Sequence, residues 1–573
     1  MVSAGSAYEH AGSLVKFQEY SEDVITRNRA EKKPYFLLFS AEWCFWCREF
    51  AEKTLVRKDV ADYLNAHFVS VFIDADMNRA AYVNYGAVGL PYTVFLNPDG
   101  SLYYKYTGTL YGDSFLTVIR EVAAKSGAGK YALGMEAHRV SYTPPSTLSV
   151  PDLKDMPVTF KRGLRDNFDP SEYGLGKAQK AILPRTFMYL LENAETSDRK
   201  EVMEWTKKTL ERAIDRIYDP VEGGFFRYAE TRNWRIPHFE KLADLNAGIV
   251  LLLYRVNQVS PSPKLKEAAD KTLGYIASTL FDPLTGTFLS FQVADHEYYS
   301  LDEQQRKSAV KPRVMDRVFT DRLAVTLGYL IQVLKYSENR ALEKQVRRSL
   351  DFLAEMIMNG HGMKRYYATT EKRWLLESGM TDHAYVARLF ANAASYFRSS
   401  RYSEVAVTAL KAALTEYFDA KKGIFIESGV DRSTNVEYLM EMNALFAQSI
   451  MSMDTRLGPR GRMIVDSLIT YFSLMGEPLE DRFWHAADWE FTEAYVPYLQ
   501  AVDIYLPVRK RRIRSSRELK LAFALTGQMG SSAAKSGVLA QNAASSITLR
   551  PAHRRTSMST QDGIGLSEFR GRH

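Results

Sequence analysis

The only two cysteines in this chain of 573 residues, Cys44 and Cys47, stand three positions apart in Ala41-Glu42-Trp43-Cys44-Phe45-Trp46-Cys47-Arg48. Two sulfurs spaced this way on the first turn of a helix can exchange with each other and with an external disulfide. No further thiol remains to pair with them or to complete a four-cysteine zinc site. At a helix start the positive end of the helix dipole favours a thiolate, which makes Cys44 the attacking sulfur and Cys47 the one that resolves the mixed disulfide. Glu42, Trp43 and Arg48 flank the pair, and a guanidinium at Arg48 would favour the thiolate further. The intervening Phe45-Trp46 adds no cation, which favours a reductant or sensor over a strong oxidant.

The surrounding elements have to present those sulfurs. Pro34–Ser40 is a continuous apolar run, as expected of a buried strand, and a helix-period pattern follows it to about Thr54. A short helix at Asp59–Ala66, a strand at Phe68–Asp74, a strand within Val88–Leu96, a turn at Asn97–Gly100, a strand at Leu102–Tyr106 and a helix near Ser114–Ala124 complete the alternation. This pattern, with Trp43-Cys44-x-x-Cys47 between strand and helix and with Leu90-Pro91-Tyr92-Thr93, resembles the thioredoxin fold across residues 12–125. The resemblance implies a cis-proline loop at Pro91, beside which an extended peptide partner would pair. Relatives usually carry a buried aspartate behind the cysteines. That position is Leu38 here, so proton exchange for Cys47 would fall to Glu42 or to water.

Residues 126–176, rich in Pro, Gly and Ser, read as a linker or strap. From 177 to 507 amphipathic helices pair up and a motif recurs. Tyr218-Asp219-Pro220-Val-Glu-Gly223-Gly224-Phe225-Phe226 returns as Phe281-Asp282-Pro283-Leu-Thr-Gly286-Thr287-Phe288-Leu289 and as Phe418-Asp419-Ala420-Lys-Lys-Gly423-Ile424-Phe425-Ile426, with a degenerate copy at Met358–Tyr367. Each unit is two helices and a turn, and about six of them make either a closed (α/α)6 toroid or an open solenoid. Gly223-Gly224-Phe225-Phe226-Arg227-Tyr228 followed by Trp234-Arg-Ile-Pro237-His238-Phe239-Glu240-Lys241 resembles the spermatogenesis-associated protein 20 family, which joins a thioredoxin-like domain to a six-hairpin, glycosidase-like barrel. The resemblance implies the closed ring. Phe45 and Arg48 stand where those proteins carry histidines, and Thr320-Asp321-Arg322-Leu323 stands for their Thr-Asp-Trp-Asn, which marks a divergent relative.

A sugar-active toroid needs acids, histidines and aromatic faces projecting from inner helix ends. Trp234, His238 and Glu240 precede one helix, Asp321 starts another, Asp382 and His383 a third, and His485 and Asp488 a fourth. The structural alternative is that Asp382 caps its helix, the histidines are satisfied core residues and the tryptophans pack between helices.

The net charge of +7 belongs to residues 508–573, which carry 13 Lys and Arg against 3 Asp and Glu and leave about −3 for the rest. That tail, low in aromatics, reads as disordered, and the remainder lacks the basic field of a nucleic-acid binder. No run of about 18 apolar residues suggests a membrane span. The expected location is cytoplasmic, since the N-terminal residues lack the pattern of a secretory signal. No nucleotide loop, dinucleotide fingerprint or metal-spaced histidine pair occurs, so no cofactor and no metal are expected. The first functional reading is a thiol–disulfide oxidoreductase acting on a protein thiol or disulfide partner, with the barrel holding that partner. The alternatives are a carbohydrate-active enzyme, a hydrolase or epimerase that takes a glycan or small polyol in the barrel, and a scaffold with neither activity.

Overall fold

A computed structural model describes residues 13–126, 150–427, 436–473 and 489–510, apart from 22, 88 and 361. The expected 508–573 tail beyond Lys510, residues 127–149 of the expected linker, and His485 and Asp488 lie outside the described residues.

The first domain is a five-stranded sheet in the order β1-β3-β2-β4-β5, with β1 Gln18–Glu19, β2 Tyr35–Ser40, β3 Val69–Asp74, β4 Tyr92–Leu96 and β5 Leu102–Thr107. Strands β1 and β2 run parallel to β3, and β2 and β5 run antiparallel to β4. All six residues of β2 are buried, because a central strand is covered on both faces. Alternation sends Phe36 and Leu38 toward α2 (Phe45–Phe50), α3 (Lys58–His67) and α5 (Gly112–Lys125). It sends Tyr35, Leu37 and Phe39 toward α1 (Val24–Asn28) and α4 (Arg79–Asn84).

The second domain is a closed double ring. Among the described residues six inner helices, α7 Pro184–Asn193, α9 Ala243–Val259, α11 Thr320–Val333, α13 Met380–Phe397, α15 Val436–Ser452 and α17 Trp489–Lys510, each touch the next, and α17 touches α7. The outer helices are α6 Val150–Asn167, α8 Arg199–Arg216, α10 Pro263–Thr279, α12 Arg340–Met358, α14 Ser400–Glu416 and α16 Asp454–Ser473. The inner helices are apolar on nearly all sides, as in α9, because both neighbours and the outer layer cover them.

The linker reading needs correction at its C-terminal half, where residues 150–167 form α6, the first outer helix, with Pro157 inside it. A further copy of the turn motif follows, with Phe168 bridging Leu175 and the Asp169 N–H donating to the Gly174 carbonyl. The repeats are locked alike. Asn246 on α9 accepts the Phe225 N–H and donates to the Phe225 carbonyl, and Asn443 on α15 does the same for Phe425. The turn requires glycine at Gly223, whose φ is +80° and where a Cβ would lie 2.6 Å from the Lys271 carbonyl oxygen.

Candidate functional site: a dithiol covered by the helical ring

Cys44 sits at the start of α2, where its sulfur accepts the Cys47 N–H at 3.3 Å and lies 2.7 Å from Cys47 Sγ. The Leu90–Pro91 peptide is cis. Trp43 behind the pair donates its indole N–H to Asp76 Oδ2 at 2.6 Å and carries the Arg227 guanidinium over its ring.

The helical ring closes over this site. Glu240 Oε1 accepts the Phe45 N–H at 3.2 Å, His238 Nε2 accepts the Trp46 indole N–H, and the Ala294 carbonyl accepts from Arg48. His296 lies against the Phe45 ring, and Phe291 against Trp43. Glu42 is held by Arg313 and Arg317, and Arg322 faces Asp76. Together with Leu242, Val293, Met315, Phe319 and Tyr366, these contacts leave Cys44 3% and Cys47 4% exposed.

Burial reverses the expected electrostatics of Cys44. Desolvation pushes its thiol well above the ordinary value, the hydrogen-bonded Cys47 adds to this, and so does the Glu240 charge. The helix dipole therefore does not decide the state of Cys44 while the domains are docked. Glu240 is itself raised by burial, against the pull of Arg227. Burial, then Arg227 and His296, hold His238 down to about 3, so its ring is neutral and its Nε2 can accept from Trp46.

The residues expected to line a barrel pocket separate into different places. His238 and Glu240 meet the cysteines. The strand pair that carries His238 is turned by two left-handed non-glycine residues, Trp234 and Ile236, and is pinned by the Trp234 indole N–H on the Glu172 carbonyl. Asp321 and Asp382 share Arg365, whose Nε also donates to the Asp76 carbonyl across the domain seam. Asp382 caps α13 through the Gly379 N–H. Burial, partly offset by Arg365 and reinforced by Asp321, raises it to about 7. It borders a cleft of ≈ 310 Å³ between Asn78–Ala81 and Ser378–Asp382. His383 packs inside, bonded to the Ser378 hydroxyl.

The axis of the ring holds groups that sequence reasoning missed. Arg185 on α7 pairs with Glu441 on α15 and donates to the Tyr385 hydroxyl of α13, while Glu493 on α17 accepts from the Arg185 and Thr186 amides. Arg322 on α11 pairs with Asp244 on α9. Arg185 keeps 19% and Glu441 16% of side-chain exposure. Among the described residues no three His, Cys, Asp or Glu side chains converge as a metal site, and no helix is long and apolar enough to cross a membrane.

Known proteins resemble parts of this chain. A thioredoxin-like domain family matches residues 22–123. The chain is 26% identical over 313 residues to spermatogenesis-associated protein 20 of Rattus norvegicus, a match covering 50% of this chain and 40% of the rat protein. It is 27% identical over 258 residues to an uncharacterized protein of Caenorhabditis elegans, covering 41% and 35%. The matches thus span less than half the length of these relatives. Among solved structures, cellobiose 2-epimerase from Spirochaeta thermophila aligns with 63% of this chain and 100% of its own at 11% identity and a TM-score of 0.46. A thioredoxin from Thermus thermophilus aligns with 20% of this chain and 91% of its own at 24% identity and a TM-score of 0.18.

Proposed function

For a chain that resembles the spermatogenesis-associated protein 20 family, we propose a thiol–disulfide oxidoreductase in which Cys44 and Cys47 exchange with a protein thiol or disulfide partner and the helical ring governs access to them. The supporting observation is the pair of sulfurs 2.7 Å apart at the start of α2 in a thioredoxin-like domain. A Cys44 thiolate attacks the partner disulfide and releases one partner thiol. Cys47 then attacks Cys44 and releases the other, leaving a Cys44–Cys47 disulfide. In a reducing compartment such as the cytoplasm the pair rests as a dithiol. A partner meets the sulfurs when the apolar cover around Phe291 gives way, with Glu240 still held at the Phe45 amide.

Equilibration against glutathione and dithiothreitol tests this reading, with Cys47→Ser as control. A potential below about −230 mV places the pair with thioredoxin-like reductants, and trapped mixed disulfides on the variant would identify partners. Failure to form a disulfide across the whole range removes the reading.

The polar axis favours a second reading, that the ring binds a hydroxyl-rich small molecule such as a polyol or glycan. Arg185, Tyr385, Glu441 and Glu493 supply both donors and acceptors there. Thermal-shift measurements with a sugar panel on the wild type and Glu441→Gln test it. A stabilising sugar whose effect is lost in the variant supports binding at the axis, and no response to any sugar removes this reading.

A further inference from the structure

At the position behind its cysteines the thioredoxin-like domain carries Leu38, buried in β2, and not an acid. An acid arrives from the other domain. Glu240 is 1% exposed, its Oε1 accepts the amide next to Cys44, and its Oε2 is buried without a hydrogen-bond partner among the described residues. A lone carboxyl oxygen is costly to bury, so its presence beside a reactive pair asks for a use. The charged and titratable groups around it are Cys44, with Cys47 bonded to it, Arg48 of α2, Arg227 and Tyr228 earlier in the ring domain, His238 two residues away and His296 across the Phe45 ring. Arg227 and Arg48 favour the Glu240 carboxylate, and that carboxylate opposes a Cys44 thiolate. One negative charge fits this buried site better than two, which is the relation between groups that trade a proton.

We propose that Glu240 is the acid–base partner of the Cys44–Cys47 couple, lent by the helical ring in place of the acid absent at Leu38. This rests on the dithiol reading above. The Cys44 proton passes to Glu240. The thiolate attacks one sulfur of a disulfide RSSR, the S–S bond breaks, and the departing RS⁻ takes the proton from Glu240. Cys47 Sγ then attacks Cys44 Sγ, and its proton passes through Glu240 to the second RS⁻. Two electrons move from the pair to RSSR, two RSH leave, and Glu240 ends as it began.

The test compares two reactions on the full chain, alkylation by iodoacetamide, which needs only a thiolate, and exchange with glutathione disulfide, which also needs a proton for the leaving thiolate. In Glu240→Gln, alkylation at pH 7 rises severalfold because a repelling charge is gone, whereas exchange falls by about 100-fold or more, and Glu240→Asp recovers part of the exchange. A purely structural role would move both rates in one direction, and that result, or no change in either, overturns the proposal. If Glu240→Gln does not fold, the wild-type alkylation profile decides. Two inflections between pH 5 and 10 support a coupled pair, and one inflection overturns it. Alkylation without any glutathione exchange in the wild type would instead remove the oxidoreductase reading itself.

Discussion

The indole N–H of Trp46 donates to Nε2 of His238 at 3.2 Å, joining the dithiol helix of one domain to a strand of the other. The bond exists only while His238 is neutral, and burial holds its pKa to about 3 from an ordinary 6.5. Released from the seam, the same imidazole binds a proton as the pH falls below 6.5. Docking is therefore at full strength above that value and weakens as the pH drops toward 3. Hydrogen exchange of residues 41–50, corrected for intrinsic rates, should speed up between pH 7 and 5. Exchange that does not change over this range would show that His238 does not hold the seam.

Phe291 buries its ring against Trp43 and helps to cover both sulfurs. Truncating a buried phenylalanine costs about 3–5 kcal/mol, and at a seam that loss appears as opening. Phe291→Ala should speed alkylation of Cys44 at pH 8 by at least about tenfold, following the gain in open population, while β2 and β3 keep their slow hydrogen exchange. An unchanged alkylation rate would mean that the sulfurs are reached by a route that does not involve this contact.

Arg365 pairs with both of the buried acids Asp321 and Asp382. Replacing it by Leu leaves two enclosed carboxyl groups facing each other, and urea denaturation at pH 8 should show a loss of about 3–5 kcal/mol. The loss should shrink at pH 5, where the acids can hold a proton between them. A loss independent of pH would argue that packing, not charge, is what Arg365 provides.

Asn246 and Asn443 occupy equivalent places in two repeats, each bonding both backbone groups of a phenylalanine and the carbonyl four residues before itself. Asn246→Ala and Asn443→Ala should each cost about 2–3 kcal/mol and lower the thermal midpoint by similar amounts. A large difference between them would mean that the repeats do not contribute equally to the ring.

Much of this architecture can be read from local chemistry. An apolar run as dense as Tyr35–Ser40 can only be a covered strand, and the Asp219, Asp282 and Asp419 turns repeat a spacing that packing requires. The copy at Asp169 escapes because Pro151, Pro157 and Pro170 look like breaks, although a proline is tolerated where α6 gives up one bond. Glu240 is visible as an acid before a helix, but its destination is an amide 195 positions away, fixed only by docking. Arg185, Glu441 and Glu493 are hidden for the same reason. Each reads as an ordinary polar residue on a helix, and only ring closure brings them together.

That closure also changes what the loss of one end would do. In an open stack of repeats the last member can be removed and the others remain, because its outer face was already bare. Here α17 rests on α7, and Glu493 receives the first amides of α7. The ring therefore has no expendable terminus. Cutting away residues 489–510 would uncover the first inner helix as well as the fifth, so the hairpins should stand or fall as one cooperative body rather than peel away in turn.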